Sequence, residues 1–528
     1  MRGTRRISAF LFICAPALLI SAPASAQFVC TTTATDITCT NNGTAVSEIN
    51  FDLTKNVTTT NFGTVTTFMS TGTGNSGNAT SINRGSIGTD LTTTVGTVGD
   101  GTTTNYGTVG GSVSTNVFNG NAIGVNYGTI GVNFSTLNQF AGISNGINYG
   151  TVGGTFQVTS VFTNAFSTNY GSVSAMSTSA PNSGGTATTA NAGSVTTSIT
   201  SFGFSGVTIS NSGSVGTSIS ASTAVSGATT VTNTGSVGTD ISATTAGGGN
   251  ATISNSGSIG GFAHAIAAVG GDASVTNHGS IGGTVEATAV SGNATIVNYG
   301  TTGAWTLSAP IGGTVGSAGF NYGTVIGQVT VFGTVGQHLT NGGTISNPGG
   351  TAIAFTGPDP SSLTLLPGSF IVGAINFNAG GTNTVNLHVG NLNLTINPLA
   401  GATVTGSVPF VVSGNQVATV DPTPLAMTDR NLMDFSRSVS SAIPETAAQS
   451  TTFAKALRSP AKRPIQPSTM PSRGFPSCQP MRAAAASPPI RPRRTATACR
   501  SGRAHLPAGA IRMPPARCCK RPTITMAP

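Results

Sequence analysis

Charge is scarce in this chain of 528 residues: Asp, Glu, Lys and Arg together make up 7%, against about 25% in an average soluble protein. Aromatic residues amount to 6%, with a single tryptophan, Trp305, so a conventional aromatic-rich core is not expected. The 72 glycines fall nowhere near every third position, which excludes a collagen triple helix. The apolar run near the N-terminus, residues 7–19, is short, and Pro16 and Pro23 break the region, which argues against a membrane anchor. Length alone suggests several globular domains. The composition argues against that.

The formal net charge of +9 would ordinarily point to nucleic acid or an anionic membrane. Its location removes the inference. Arg2, Arg5 and Arg6 precede the apolar run, and Ala24-Ser25-Ala26 follows, so residues 1–26 read as a secretory signal peptide cut after Ala26. Between residues 27 and 429 only Lys55 and Arg84 are basic, against eleven acidic residues. Residues 451–528 hold fifteen basic residues and no acidic one. The exported body is mildly acidic, and no nucleic-acid partner is expected.

The tetrapeptide Asn-x-Gly-[Ser/Thr] begins at Asn41, Asn61, Asn83, Asn105, Asn126, Asn148, Asn169, Asn191, Asn211, Asn233, Asn255, Asn277, Asn298, Asn321 and Asn341, at spacings of 20–23 residues. Such a period excludes the longer helical repeats, and Gly, Thr and Asn are poor helix formers. Leucine-rich repeats have similar length but need a leucine ladder that is absent here. What remains is all-β: a right-handed parallel β-solenoid of about fifteen coils, each made of two or three short strands and tight corners.

One coil shows why. From Asn233 one parity runs Asn233, Gly235, Val237, Thr239, Ile241, Ala243, and resumes after the Gly247–Asn250 corner as Ala251, Ile253, Asn255. Apolar and small residues then share one face, with Ser, Thr and Asp on the other. The 20–23 variation is assigned to corners where Gly and Asn take positive φ. The repeated asparagines, Asn211, Asn233, Asn255 and Asn277 among them, are expected to form a column of amides bonded along the stack. All six tyrosines occupy the x position, and Tyr106, Tyr127, Tyr149 and Tyr170 do so in consecutive coils. They are expected to stack at one corner. Corner packing is the preferred reading of that stripe and a sugar- or partner-binding strip the alternative.

Solenoid ends expose strand edges and need caps. Cys30 and Cys39 precede the first repeat, and an oxidising compartment would favour a disulfide there over free thiols. Past the repeats, Val385, Leu387 and Val389, then Leu392, Leu394 and Ile396, alternate as strands. A helix is expected over 424–443, with Thr423 as N-cap, Pro424 at its first position and Pro444 ending it.

Signal peptide, Gly/Thr/Asn solenoid and helix together resemble a bacterial autotransporter, the single-chain form of type V secretion. Residues Leu363–Ser369 and Val408–Pro422 look like the end of a passenger, and the helix looks like the linker before a translocator. The resemblance covers about residues 1–445. It implies 1–26 as signal peptide, 27–346 as passenger repeats, 347–423 as the β-rich passenger end and 424–445 as the linker helix. It also implies a C-terminal β-barrel built of roughly ten-residue alternating strands. The chain departs from the family there. Beyond Phe453 there is no Tyr, no Trp and one Phe, with 14 of the 27 prolines and Cys478, Cys499, Cys518 and Cys519. Residues 446–528 read as a disordered basic tail, and as out-of-frame translation of a barrel-coding gene.

No catalytic, cofactor or metal set emerges. His264, His278, His338, His388 and His505 lack ligand spacing, and His264 and His278 read as solvated. No lysine carries a Walker A loop, and the calcium-binding Gly-Gly-x-Gly-x-Asp repeat is missing. Asp240 and Glu286 sit seven and nine residues after their asparagines, and Asp90 shares the Asp240 position seven coils away. A regular Thr-x-Thr ladder of the ice-binding kind is not evident. The expectation is a non-enzymatic exported passenger without cofactor, an adhesin or self-association protein. Its partners would be a host or abiotic surface, glycans or its own copy. It would reach the cell surface or be secreted, touching the outer membrane only if a translocator is supplied, and would stay periplasmic without one. A polysaccharide-acting solenoid enzyme is the alternative, as is a non-functional truncated autotransporter product.

Overall fold

The computed structural model describes residues 28–311, 316–377 and 382–456. The expected signal peptide and nearly all of the expected basic tail lie outside the described residues. The chain divides into two units at Ser441. The first is a parallel β-solenoid of about 16 turns followed by the start of a helix; of the second, the described part is that helix's continuation.

Most repeat coils contribute three strands. In the coil of Asn233 they are Thr229–Asn233, Ser236–Val237 and Ile241–Thr245. The strand ending on the repeat asparagine joins a nineteen-stranded sheet, hereafter the Asn sheet, and the other two join a thirty-one-stranded sheet. Pairing is parallel, with each asparagine level with the next, as in Asn233↔Asn255 and Asn255↔Asn277. Alternation then sends Val231, Ile253 and Val275 from the Asn sheet, and Val237, Ile259 and Ile281 from the second, into one continuous core. Thr239, given to the inner face by strict alternation, is exposed and Gly235 half-buried, because the corners interrupt the parity of the flanking strands.

The core is less apolar than alternation within one coil suggests. Thr93, Thr103 and Thr115 are fully buried or nearly so, and their hydroxyls join at 2.6 Å across the two sheets. Thr178 and Thr189 do the same at 2.7 Å. A buried hydroxyl is tolerable when it is paired, and threonine keeps the β-branched shape that suits a strand. Where rings fill the core, glycine faces them. Phe134 and Phe156 stack at 5.0 Å between centroids, and a Cβ on Gly124 or Gly146 would lie within 2.6–2.7 Å of their coil's side chains.

The motif glycine does not supply the corner's positive φ. That conformation occurs at Gly77, Gly99, Gly120 and Gly142, in the corner that precedes the Asn sheet. At the Asn-x-Gly corner the cause is close stacking: a Cβ on Gly235 would sit 2.0 Å from the carbonyl oxygen of Gly213. The same holds from Gly63 to Gly343 at 1.9–2.1 Å.

Both ends are closed by antiparallel pairing. Val29–Thr32 pairs antiparallel with Asp36–Asn41, and Cys30 lies opposite Cys39 in a disulfide. At the other end, after three further coils continue the Asn sheet, Phe410–Ser413 and Gln416–Thr419 form a hairpin against Asn393–Asn397. Cross-linking so short a loop stabilises by about 2–3 kcal/mol. Reduction is therefore expected to speed hydrogen exchange across Val29–Asn41 and leave the coils beyond Asn105 unchanged. A uniform loss of protection along the rod would contradict that.

The helix spans Thr423–Ala456, so it is capped and ended differently from expectation. Asp421 is the capping side chain, its carboxylate accepting the Thr423 N–H at 2.9 Å, and the Ala426 N–H already bonds to the Pro422 carbonyl. Thr423 is thus the first helical residue and not the cap, and Pro424 is the second residue of the helix instead of the first. Pro444 does not end the helix. It removes one backbone donor, and the alanines on either side favour continuation.

Candidate functional site: the ladder faces

Asparagine side chains fill the inside of the first corner. Fourteen consecutive bonds run from the Nδ2 of one repeat asparagine to the Oδ1 of the next, Asn41 to Asn341, at 2.7–2.9 Å. The amide's second hydrogen is directed at backbone carbonyls; for Asn233 these are Gly235 at 3.2 Å and Ser258 at 3.5 Å. Asn211, Asn233, Asn255 and Asn277 are at most 1% exposed, so the column is sealed from any ligand. It positions the rest.

Two further ladders were not legible as such in the repeat. Five residues before the repeat asparagine an Asn or Asp accepts the backbone N–H one coil on: Asn78 from Asp100, Asp100 from Asn121, Asn250 from Asp272 and Asp272 from Asn293, at 2.7–2.9 Å. Seven residues after it, Asp90 accepts from Ser112 and Asp240 from Phe262, both at 2.7 Å. The signal was the recurrence of Asx at those offsets. Asp90 and Asp240 therefore hold corners, while Glu286 lies on a strand face, bonded to the Thr288 hydroxyl at 2.9 Å and 3.9 Å from His264. The structure does not bring these carboxylates together as a pair. His278 is exposed and stacks on Tyr299 at 4.7 Å. Cys30, Cys39 and Glu48 cluster, but the disulfide occupies both sulfurs.

In the first coil, hydrogen bonds hold two carboxylates below the ordinary aspartate range: at Asp36 chiefly from the Thr35 hydroxyl and then the Asn56 amide, at Asp52 from the Thr54 and Lys55 backbone N–H groups. Burial pushes Glu48 up. A lowered folded-state value means stability present above the ordinary range and lost as pH falls through the lowered one. Acidification is thus expected to accelerate exchange of the Thr54 and Lys55 amides before those of the central coils; equal loss in both places would contradict this.

Outside the same corner, Tyr106, Tyr127, Tyr149 and Tyr170 stack at 4.9–5.0 Å with planes within 2–8°. Arg84 lies over Tyr106, 4.6 Å from its centroid. The four residues are 46–53% exposed, but the faces between them are taken by one another and Arg84 covers Tyr106, which leaves only the outer face of Tyr170 without a ring partner. What they otherwise offer solvent is a rim of ring edges, which favours packing over sugar stacking. Beyond Tyr170 the x position holds Ala192, Ser212, Thr234 and Ser256. There a shallow trough of about 790 Å³ follows the two-residue strands, lined by Ser194, Ser214, Ser236, Ser258 and Ser280 with the neighbouring Val, Ile and Gly.

The broad faces are the remaining candidates. On the Asn sheet two side chains per coil point outward, at one and three residues before the asparagine, such as Thr230 and Thr232. No helix among the described residues is long and apolar enough to cross a membrane. Comparison with protein-family models, curated proteins and solved structures returned no match.

Proposed function

We propose that this chain is an exported, autotransporter-like passenger that works by surface contact, as an adhesin or a self-association protein, and catalyses no reaction. The observation that carries the proposal is the charge-poor, hydroxyl-covered face repeated along the stack. A flat face of this kind has many weak donors and acceptors at fixed spacing and little charge to repel a neutral surface or a second copy. Its clearest acids, Asp90, Asp100, Asp240 and Asp272, each accept a backbone N–H from the next coil, which leaves them poorly placed as a hydrolytic pair.

The test is the purified chain incubated with abiotic surfaces, glycan-coated surfaces and neutral or acidic polysaccharides. Retention on a surface, or clumping, without release of reducing ends supports the proposal. Release of reducing ends that is lost on removing Glu286 or Asp240 would replace it with the polysaccharide-acting alternative.

A further inference from the structure

We propose that two copies of this chain pair side by side and parallel, through the outward face of the Asn sheet. The inference rests on the self-association reading above. The first support is charge. From Thr58 and Thr60 to Thr403 and Thr405, the outward positions of that sheet hold no Asp, Glu, Lys or Arg. His338 is the one ionisable side chain at these outward positions, so with the imidazole neutral the face carries no charge to repel its own copy.

The second support is a patch. Ile82, Ile123, Val125, Ile147 and Phe166 occupy outward positions on the strands ending at Asn83, Asn126, Asn148 and Asn169. Each is only half-buried, by its neighbours in the stack. A β-branched and aromatic patch within a threonine face has the make-up of an interface centre with a polar surround.

Area is the third. Nineteen strands at about 4.8 Å give a face of roughly 90 Å, and five-residue strands a width of about 17 Å. Half of that, covered on both copies, reaches about 1,500 Å², the size of a standard stable interface.

The rims give the direction. Along one edge of the sheet lie Asp36, Asp100 and Asp272, five residues before their asparagines; along the other lie Arg84 and His278, one residue after theirs. Lys55, at the end of the acidic edge, donates to the Thr33 carbonyl. A two-fold axis along the rod exchanges the edges at constant height. It lays Arg84 within one coil of Asp100 of the second copy, and His278 level with Asp272. A two-fold across the rod would lay acid on acid. A rim ion pair such as Arg84 with Asp100 sets orientation more than affinity.

Sedimentation equilibrium of the full-length chain tests the proposal. The wild type is expected to dimerise, and Ile123→Lys with Ile147→Lys to weaken the dimer at least about tenfold by placing like charges at the contact. Thr92→Lys with Thr94→Lys, on the outward face of the other sheet, should leave it unchanged. If the isoleucine variant loses its β circular dichroism, Thr104→Lys with Thr232→Lys probes the same face. Arg84→Glu should weaken the dimer several-fold at low salt; no change would overturn the parallel arrangement. A wild type that associates while the face variants match it overturns this inference alone. A wild type monomeric at every concentration overturns it and removes self-association from the broader reading.

Discussion

Aspartate at position 233 is expected to lower the stability of the solenoid by about 3–5 kcal/mol at neutral pH, the cost of an uncompensated buried charge. Asn233 takes a hydrogen bond from Asn211 on its oxygen and gives one to Asn255 through its nitrogen, at 2.7 and 2.8 Å. A carboxylate can keep the first. In place of the second it sets an oxygen against the Asn255 oxygen, and it has no hydrogen for the Gly235 carbonyl. The site is fully buried, so desolvation raises the carboxyl's pKa above its unfolded value. A raised value means the protonated form is the one the fold tolerates, so the penalty is small in acid and grows as pH rises through the shifted pKa. Chemical denaturation of Asn233→Asp against wild type at acid and neutral pH checks both size and sign. An equal effect at the two pH values would show that the column is open to water.

Alanine at position 235 should be nearly as damaging, by about 3 kcal/mol or more, although it adds one methyl group. That methyl would sit 2.0 Å from the Gly213 carbonyl oxygen and 2.8 Å from the Ser212 carbonyl carbon. These are backbone atoms of the coil below and cannot rotate aside as a side chain would. The coils must part locally, which stretches the Asn211–Asn233 bond and the short-strand pairing of Ser214 with Ser236. Gly248 provides the control: a Cβ there meets only the Val269 carbonyl oxygen, at 3.9 Å. Thermal unfolding of Gly235→Ala beside Gly248→Ala should show a large drop for the first and little for the second. Equal effects would mean that glycine serves both corners through flexibility alone.

The repeat made the fold legible because it states one coil fifteen times. Period, strand face and the position of the amide column follow from Asn-x-Gly-[Ser/Thr] and from alternation over stretches such as Ala251–Asn255. The reason for the glycine does not. A contact of 2 Å between equivalent backbones exists only once coils are stacked, and from one coil the residue looks like a turn former. The inner hydroxyls of Thr93, Thr103 and Thr115 were hidden for a related reason, since each is satisfied by a partner 10 or 12 residues away on the opposite sheet. The start of the helix was misplaced because Asp421 and Thr423 are both cap-forming residues, and only the bond from the Thr423 N–H to the Asp421 carboxylate decides between them.

The outward surface was the least legible part. A parity argument places Thr, Ser and Ile outside but does not align them between coils, because the corners vary in length. The observed register does so. It gathers Ile123, Val125, Ile147 and Phe166 on adjacent strands and leaves the outward positions from Thr58 to Thr405 without Asp, Glu, Lys or Arg. The stacked tyrosines, by contrast, were visible as a column from their shared x position.

Sedimentation of the full-length chain over a range of concentrations, from low to high salt and beside a reducing-sugar assay, tests the central claim most directly. Contact through uncharged faces predicts association that persists at high salt, where exposed charge pairs are screened, with no polysaccharide cleaved. A chain that stays monomeric throughout, clings to no surface and releases reducing ends would contradict it.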